Sequence, residues 1–222
     1  MIKTILKPLA FLLCLGMSIP VFAQSGIGLR LGANISTVNV SGDDLDDELE
    51  PQNLNGFAFG LVAELGLGKN FSLQPELLYS QHGFAIDESA LGQTIIKGEQ
   101  RYSYLQVPVL AKLKFGPEFF KINLVAGPHF GFGTGKVKSE YEAFGLGKES
   151  LSESWEDAGL NTFDFGVTGG AGISIGAGPG YLGLDARYQL GLANLPDEPD
   201  DDIKIRNRNL QFSLSYIIPL GR

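Results

Sequence analysis

Through most of the chain every second residue is apolar. Ile27, Leu29, Leu31, Ala33 and Ile35 are separated by Gly28, Arg30, Gly32 and Asn34. The same alternation runs through Phe57–Leu65, Phe71–Tyr79, Leu105–Phe115, Phe120–Phe130, Phe163–Ile175, Leu182–Leu190 and Leu210–Ile218. Successive side chains of a strand point to opposite faces, so a period of two marks strands with one apolar face. The pattern predicts eight strands, each long enough to cross a bilayer at a tilt. Phe165–Leu184 carries no charge and could be misread as a transmembrane helix. Its glycines and the break at Gly176-Ala177-Gly178-Pro179-Gly180 instead predict two strands and a tight turn.

The connections alternate in length. Leu67–Asn70, Gly116–Glu118 and Gly176–Gly180 are short, whereas Thr37–Asn55, Gly83–Gln100, Gly133–Asn161 and Ala193–Arg206 are long. Short turns on one side, long loops on the other and an even strand count predict an all-β fold, an eight-stranded antiparallel up-and-down transmembrane β-barrel. Alternation alone leaves open which face is inside, and a soluble lipocalin-like barrel would turn its apolar face inward. Gly28, Gly32, Gly60, Gly127, Gly131, Gly166, Gly170 and Gly172 fall on the polar face, as a narrow interior requires. The same face carries Arg30, Lys112, Lys121 and Arg187 against Glu64, Glu76, Asp164 and Asp185. Charges that can pair internally suit a closed lumen, and these eight residues form the expected lumen charge network. A plug of that kind disfavours a general diffusion pore.

Charge and composition refine the picture. Residues 1–23 have Lys3 and Lys7, an apolar run and Val21-Phe22-Ala23, the pattern of a cleaved secretory signal peptide. The barrel domain is then 24–222, and Cys14 leaves with the signal. Without Lys3 and Lys7 the formal charge moves from −8 to −10. The four long connections carry −14, so strands and short turns carry +4. This distribution gives nucleic acid no basic surface to bind.

The strands and turns resemble the outer-membrane β-barrel family of Bacteroidota, called PorT-like or "porin family" proteins. The matching stretches are Ser72–Gly83, Tyr104–Phe115, Val125–Phe132 and Leu184–Leu195, with Leu31-Gly32-Ala33-Asn34 and Asp164-Phe165-Gly166 similar as well. The resemblance implies an OmpA/OmpX-type barrel in the cell outer membrane; a monomer in contact with outer-membrane lipid and lipopolysaccharide is the expectation. It implies no single activity, although the named member serves protein secretion. The usual terminal aromatic is missing, and Tyr216 is the candidate substitute.

Candidate chemistry is sparse. His82 and His129 are the only histidines, both on the polar face near the long-loop ends. No motif joins Ser80, Asp87 or Glu88 to His82 as a hydrolase site, so they are read as rim residues and no catalytic residue is assigned. The acidic clusters Asp43–Glu50 and Asp197–Asp202 could bind Ca²⁺ or Mg²⁺ through carboxylate oxygens, but they lack the glycine-centred EF-hand pattern; they are read as solvated loops, and no metal or cofactor site is assigned. Trp155, the one tryptophan, either anchors a partner or packs within its own loop. The expected function is a structural or interaction role, in adhesion or secretion, through the long acidic loops. The alternatives are a narrow small-solute porin and a barrel hydrolase acting on lipid A or peptides.

Overall fold

The computed structural model describes residues 25–42, 51–90, 93–143, 147–197 and 203–221. The expected signal peptide, the Asp43–Glu50 cluster and residues 198–202 of the second acidic cluster lie outside the described residues. Nine strands form among the described residues: β1 (Gly26–Ser41), β2 (Gln52–Gly66), β3 (Phe71–Ala90), β4 (Gln93–Phe115), β5 (Phe120–Ala143), β6 (Gly147–Glu153), β7 (Phe163–Ala177), β8 (Gly180–Gly191) and β9 (Lys204–Pro219). Eight of them close a ring in the order β1, β2, β3, β4, β5, β7, β8, β9, every pairing antiparallel. The seam runs from Gly26↔Pro219 to Ser41↔Lys204, using all of β1. Closure leaves no unpaired strand edge at the level of the lipid, where water cannot satisfy backbone groups.

Exposure decides which face is which. Leu29 and Leu31 are 64% and 62% exposed while Arg30 between them is 2% exposed. The apolar face therefore points outward, which suits lipid and excludes the lipocalin-like arrangement. Exposed aromatics lie toward both ends: Phe71, Phe115 and Phe119 near the short turns, and Phe57, Phe59, Phe132, Phe163 and Phe165 toward the other rim. Such girdles mark the two membrane interfaces of outer-membrane barrels. Phe59 packs on Tyr79 at 5.4 Å and Phe132 on Phe163 at 5.5 Å between ring centroids.

The long connections depart from expectation. β3 runs to Ala90 and β4 begins at Gln93, so the presumed loop Gly83–Gln100 is mostly a continuing hairpin. The third connection contributes the ninth strand, β6, which pairs with β5 from Val137↔Glu153 to Ala143↔Gly147. The reason is physical: alternation of hydrophobicity records where lipid covers one face, not where the hydrogen-bonded ladder ends. Beyond the lipid both faces meet water, and polar residues can continue a ladder already in register. At the opposite end the links are tight. Gly178, at φ +60, and Pro179 join β7 to β8, and the Tyr216 hydroxyl donates to the Ala177 carbonyl at 2.9 Å.

Candidate functional site: the layered lumen

The inward side chains form layers. At the long-loop rim Trp155 is 5% exposed and packs against Tyr102 and Tyr104, with centroids 5.8 and 5.2 Å away. Of the two expectations for Trp155, partner anchor or internal packing, the structure shows the second, with the indole held between residues of its own connection and the barrel-wall tyrosines. Gly133 lets the indole sit close, because a Cβ there would lie 2.7 Å from Trp155 Cε2. Val38, Val137, Leu160 and Leu195 complete this apolar cap. The third and fourth connections are joined over it by an isolated Leu160↔Pro196 bridge and by the Asn161 amide donating to the Leu195 carbonyl at 2.7 Å.

Below the cap lies an uncharged polar layer with one acid at its upper edge. The Tyr102 hydroxyl donates to Asn207 Oδ1 at 2.6 Å, and Asn207 Nδ2 donates to Asp164 Oδ2 at 3.0 Å. Gln106 and Gln189 exchange hydrogen bonds at 3.3 Å, and Gln211 Nε2 donates to Asn34 Oδ1 at 3.0 Å. His82 Nε2 meets Ser80 Oγ at 2.9 Å and His129 Nδ1 meets Thr168 Oγ1 at 2.9 Å. A hydrolytic triad needs a carboxylate on the second histidine nitrogen, and His82 Nδ1 has no hydrogen-bond partner among the described residues. Asp164 is committed to Asn207 instead. The side chains of Asp87 and Glu88 lie outside the described residues.

Four charges meet in the next layer. Arg187 donates from Nη1 and Nη2 to the two oxygens of Glu76 at 2.9 and 3.1 Å. Arg30 Nη1 donates to both oxygens of Asp185 at 2.8 Å, and its Nε lies 3.4 Å from Glu76. Arg30, Glu76, Asp185 and Arg187 come from β1, β3 and β8, and their formal charges cancel. Gly172 on β7 makes room for the group, since a Cβ there would stand 2.5 Å from the Cβ of Asp185. A second cluster lies nearer the short turns, where Lys112 Nζ and Lys114 Nζ donate to Glu64 at 2.8 and 2.6 Å.

Of the eight residues expected to form one lumen network, the structure thus brings together four in one group and Glu64 with Lys112 in another. Lys121 stands apart at the short-turn end, donating to the Gly116 carbonyl at 3.0 Å. Asp164 stands apart at the opposite end, beneath the cap. Among the described residues neither forms an ion pair with the central group. Lys114 joins the Glu64 cluster although it was not among the eight; its alternation with Lys112 on the inward side was the signal.

The lumen is not filled throughout. Inward of the four-charge layer and open at the short-turn end is a cavity of about 1510 Å³. Lys112, Lys114 and Lys121 stand on one wall, and Gly172, Gly183 and Ser215 leave the opposite wall low. The expectation was a narrow interior plugged by paired charges. Small residues on β7, β8 and β9 hollow out its lower half instead.

Solved structures similar to the chain are outer-membrane barrels. Ail, the attachment invasion locus protein of Yersinia pestis, is 18% identical over 89% of this chain and 100% of its own, with a TM-score of 0.41. OprG of Pseudomonas aeruginosa is 11% identical over 88% and 96%, with a TM-score of 0.48. The protease OmpT of Escherichia coli is 9% identical over 88% and 95%, with a TM-score of 0.40. No curated protein matches the chain. The model of one family, described as outer membrane protein beta-barrel domain, matches residues 22–197, and the chain belongs to that family.

Proposed function

We propose that this outer-membrane barrel is a non-conducting, non-enzymatic monomer that presents its extracellular end to a partner, in an adhesion or secretion-associated role. The observation that carries the reading is the β-sheet extension beyond the cap, built from the upper parts of β3, β4 and β5 together with β6. A ladder that continues past the membrane holds its side chains in fixed positions, as a recognition surface needs. On one face of it Tyr141 and Leu151 are 53% and 51% exposed. The other face carries the ion pairs Lys148–Glu140 at 2.6 Å and Arg101–Glu99 at 3.1 Å. Lipid and lipopolysaccharide are the surroundings in this reading, with the partner met above them. The motif order noted in the sequence supports placing the chain with the PorT-like barrels of Bacteroidota. The layered cap and charge group disfavour a small-solute porin, and the buried, carboxylate-free His82 disfavours a hydrolase.

The test is site-directed photo-crosslinking in intact cells. A photoreactive residue at Tyr141 or Leu151 is expected to give a discrete adduct that the same residue at Phe119, near the short turns, does not. Absence of any adduct at the two extracellular positions sinks the interaction reading.

A further inference from the structure

The cavity at the short-turn end has no part in a role carried by the extracellular extension. Its charge is lopsided. At its deep end Arg30 and Arg187 are offset by Glu76 and Asp185. At the rim Lys69 and Glu118 offset one another in formal charge. Between them, Lys112 and Lys114 share the one carboxylate of Glu64, and Lys121 meets only a backbone carbonyl. The walls therefore hold two positive charges that no carboxylate among the described residues offsets. All three lysines lie on β4 and β5, Lys114 directly across from Asn123 in the ladder.

A second, independent feature points into the same space. Gln74 and Asn123 are 1% and 6% exposed, both line the cavity, and Gln74 Oε1 and Asn123 Oδ1 have no hydrogen-bond partner among the described residues. Their amide nitrogens are already used, Gln74 Nε2 on Glu76 and Asn123 Nδ2 on Ser174 Oγ at 3.0 Å. Buried acceptors left open call for hydroxyl or amide donors. A neighbourhood with surplus ammonium groups calls for an anion, and a low-dielectric wall strengthens that attraction. The volume exceeds the few hundred Å³ that a small-molecule ligand requires.

From these two features together we propose that the periplasmic cavity binds a small anionic polyol, a sugar bearing a phosphate or carboxylate. The acid group sits among Lys112, Lys114 and Lys121, and ring hydroxyls donate to Gln74 Oε1 and Asn123 Oδ1. Entry is from the periplasm, because the cap and the four-charge layer close the other end.

The test uses the full barrel refolded in lipid nanodiscs, with glucose 6-phosphate and glucuronate as probes and glucose and inorganic phosphate as comparisons. Titration calorimetry is expected to show both probes binding more tightly than either comparison, with affinity falling as salt rises. The double variant Lys114→Gln/Lys121→Gln keeps the Glu64–Lys112 pair neutral and is expected to lose binding about tenfold or more. Arg101→Gln on the extracellular extension should bind as the parent does. Should the double variant fail to fold, the unaltered barrel still reports, through shifts of the Asn123 and Gln74 side-chain amides on addition of probe. Glucose binding as well as glucose 6-phosphate overturns the role of charge. Phosphate alone binding equally well overturns the hydroxyl contacts, and no shift at Asn123 or Gln74 overturns the site.

Discussion

Replacing Glu76 by Gln keeps the shape of the side chain and removes its charge, which isolates the ionic part of the central layer. Glu76 is 4% exposed and receives two hydrogen bonds from Arg187 and one from Gln74, with Arg30 Nε 3.4 Å away. After the change, Arg30 and Arg187 face each other with Asp185 as their only remaining carboxylate. Two unit charges at 4 Å attract by about 4 kcal/mol at an effective dielectric of about 20, and two such attractions vanish. Part of this is returned because the carboxylate no longer has to be desolvated, which leaves a net loss of about 3–5 kcal/mol. For an exposed pair such as Lys148–Glu140, the change of Lys148 to Ala should leave stability essentially unchanged. Urea unfolding of the refolded chain in detergent micelles measures both, with Trp155 as the single tryptophan reporter. Arg187→Gln and the double variant complete a cycle whose coupling should exceed about 1 kcal/mol. A Glu76→Gln loss below about 1 kcal/mol would falsify the view that this layer is a dry, mutually compensating group.

Further outcomes follow from other layers. Trp155 should emit at short wavelength and resist quenching by iodide, and Trp155→Ala should cost about 3 kcal/mol or more in the same unfolding assay; ready quenching would place the indole outside the cap. Gly172→Ala brings a methyl within 2.5 Å of the Asp185 Cβ, so it should destabilise the barrel by about 1–3 kcal/mol, and an unchanged urea midpoint would contradict the crowding seen there. Amides of β4 from Lys97 to Arg101 pair with β5, and their hydrogen exchange should be slow, whereas exchange at free-loop rates would show that the extension is not a ladder. Planar-bilayer recordings should show no single-channel steps for the parent protein; steady conductance would show a continuous water path through the cap.

The barrel strands are legible in the sequence because lipid enforces the strictest possible alternation. A single slip in Ile27–Ile35 would carry Arg30 into hydrocarbon, so the face assignment could be read from sequence. The inward location of the eight charges was legible for the same reason. Their division into separate groups was not, since parity tells which side of a strand a residue occupies but not its height relative to residues on β1, β3 and β8. Glu76 and Arg187 are distant in the chain and meet only because the ring closes. The β-structure beyond the membrane was illegible because Lys97-Gly98-Glu99-Gln100-Arg101 has no apolar face to betray it. The cap hides in the same way: nothing local to Trp155 indicates that its partners, Tyr102 and Tyr104, wait on a strand some fifty residues earlier. The cavity depends on small residues from β7, β8 and β9 together, an absence of volume that no single strand displays.

The seam between β1 and β9 bears on how the chain enters the membrane. Its partners, Gly26↔Pro219 through Ser41↔Lys204, are the most remote in sequence of any in the ring. Every other ring pairing joins strands adjacent along the chain or separated only by the β6 excursion, and can zip up locally. The seam alone must wait until the last strand is available. Until then two edges of unpaired amides and carbonyls are exposed, each costing several kcal/mol if forced into hydrocarbon. A chain truncated before β9 therefore has no half-inserted resting state. Insertion and ring closure become a single event with the slow kinetics of high contact order, and the C-terminal strand is what commits the protein to the membrane.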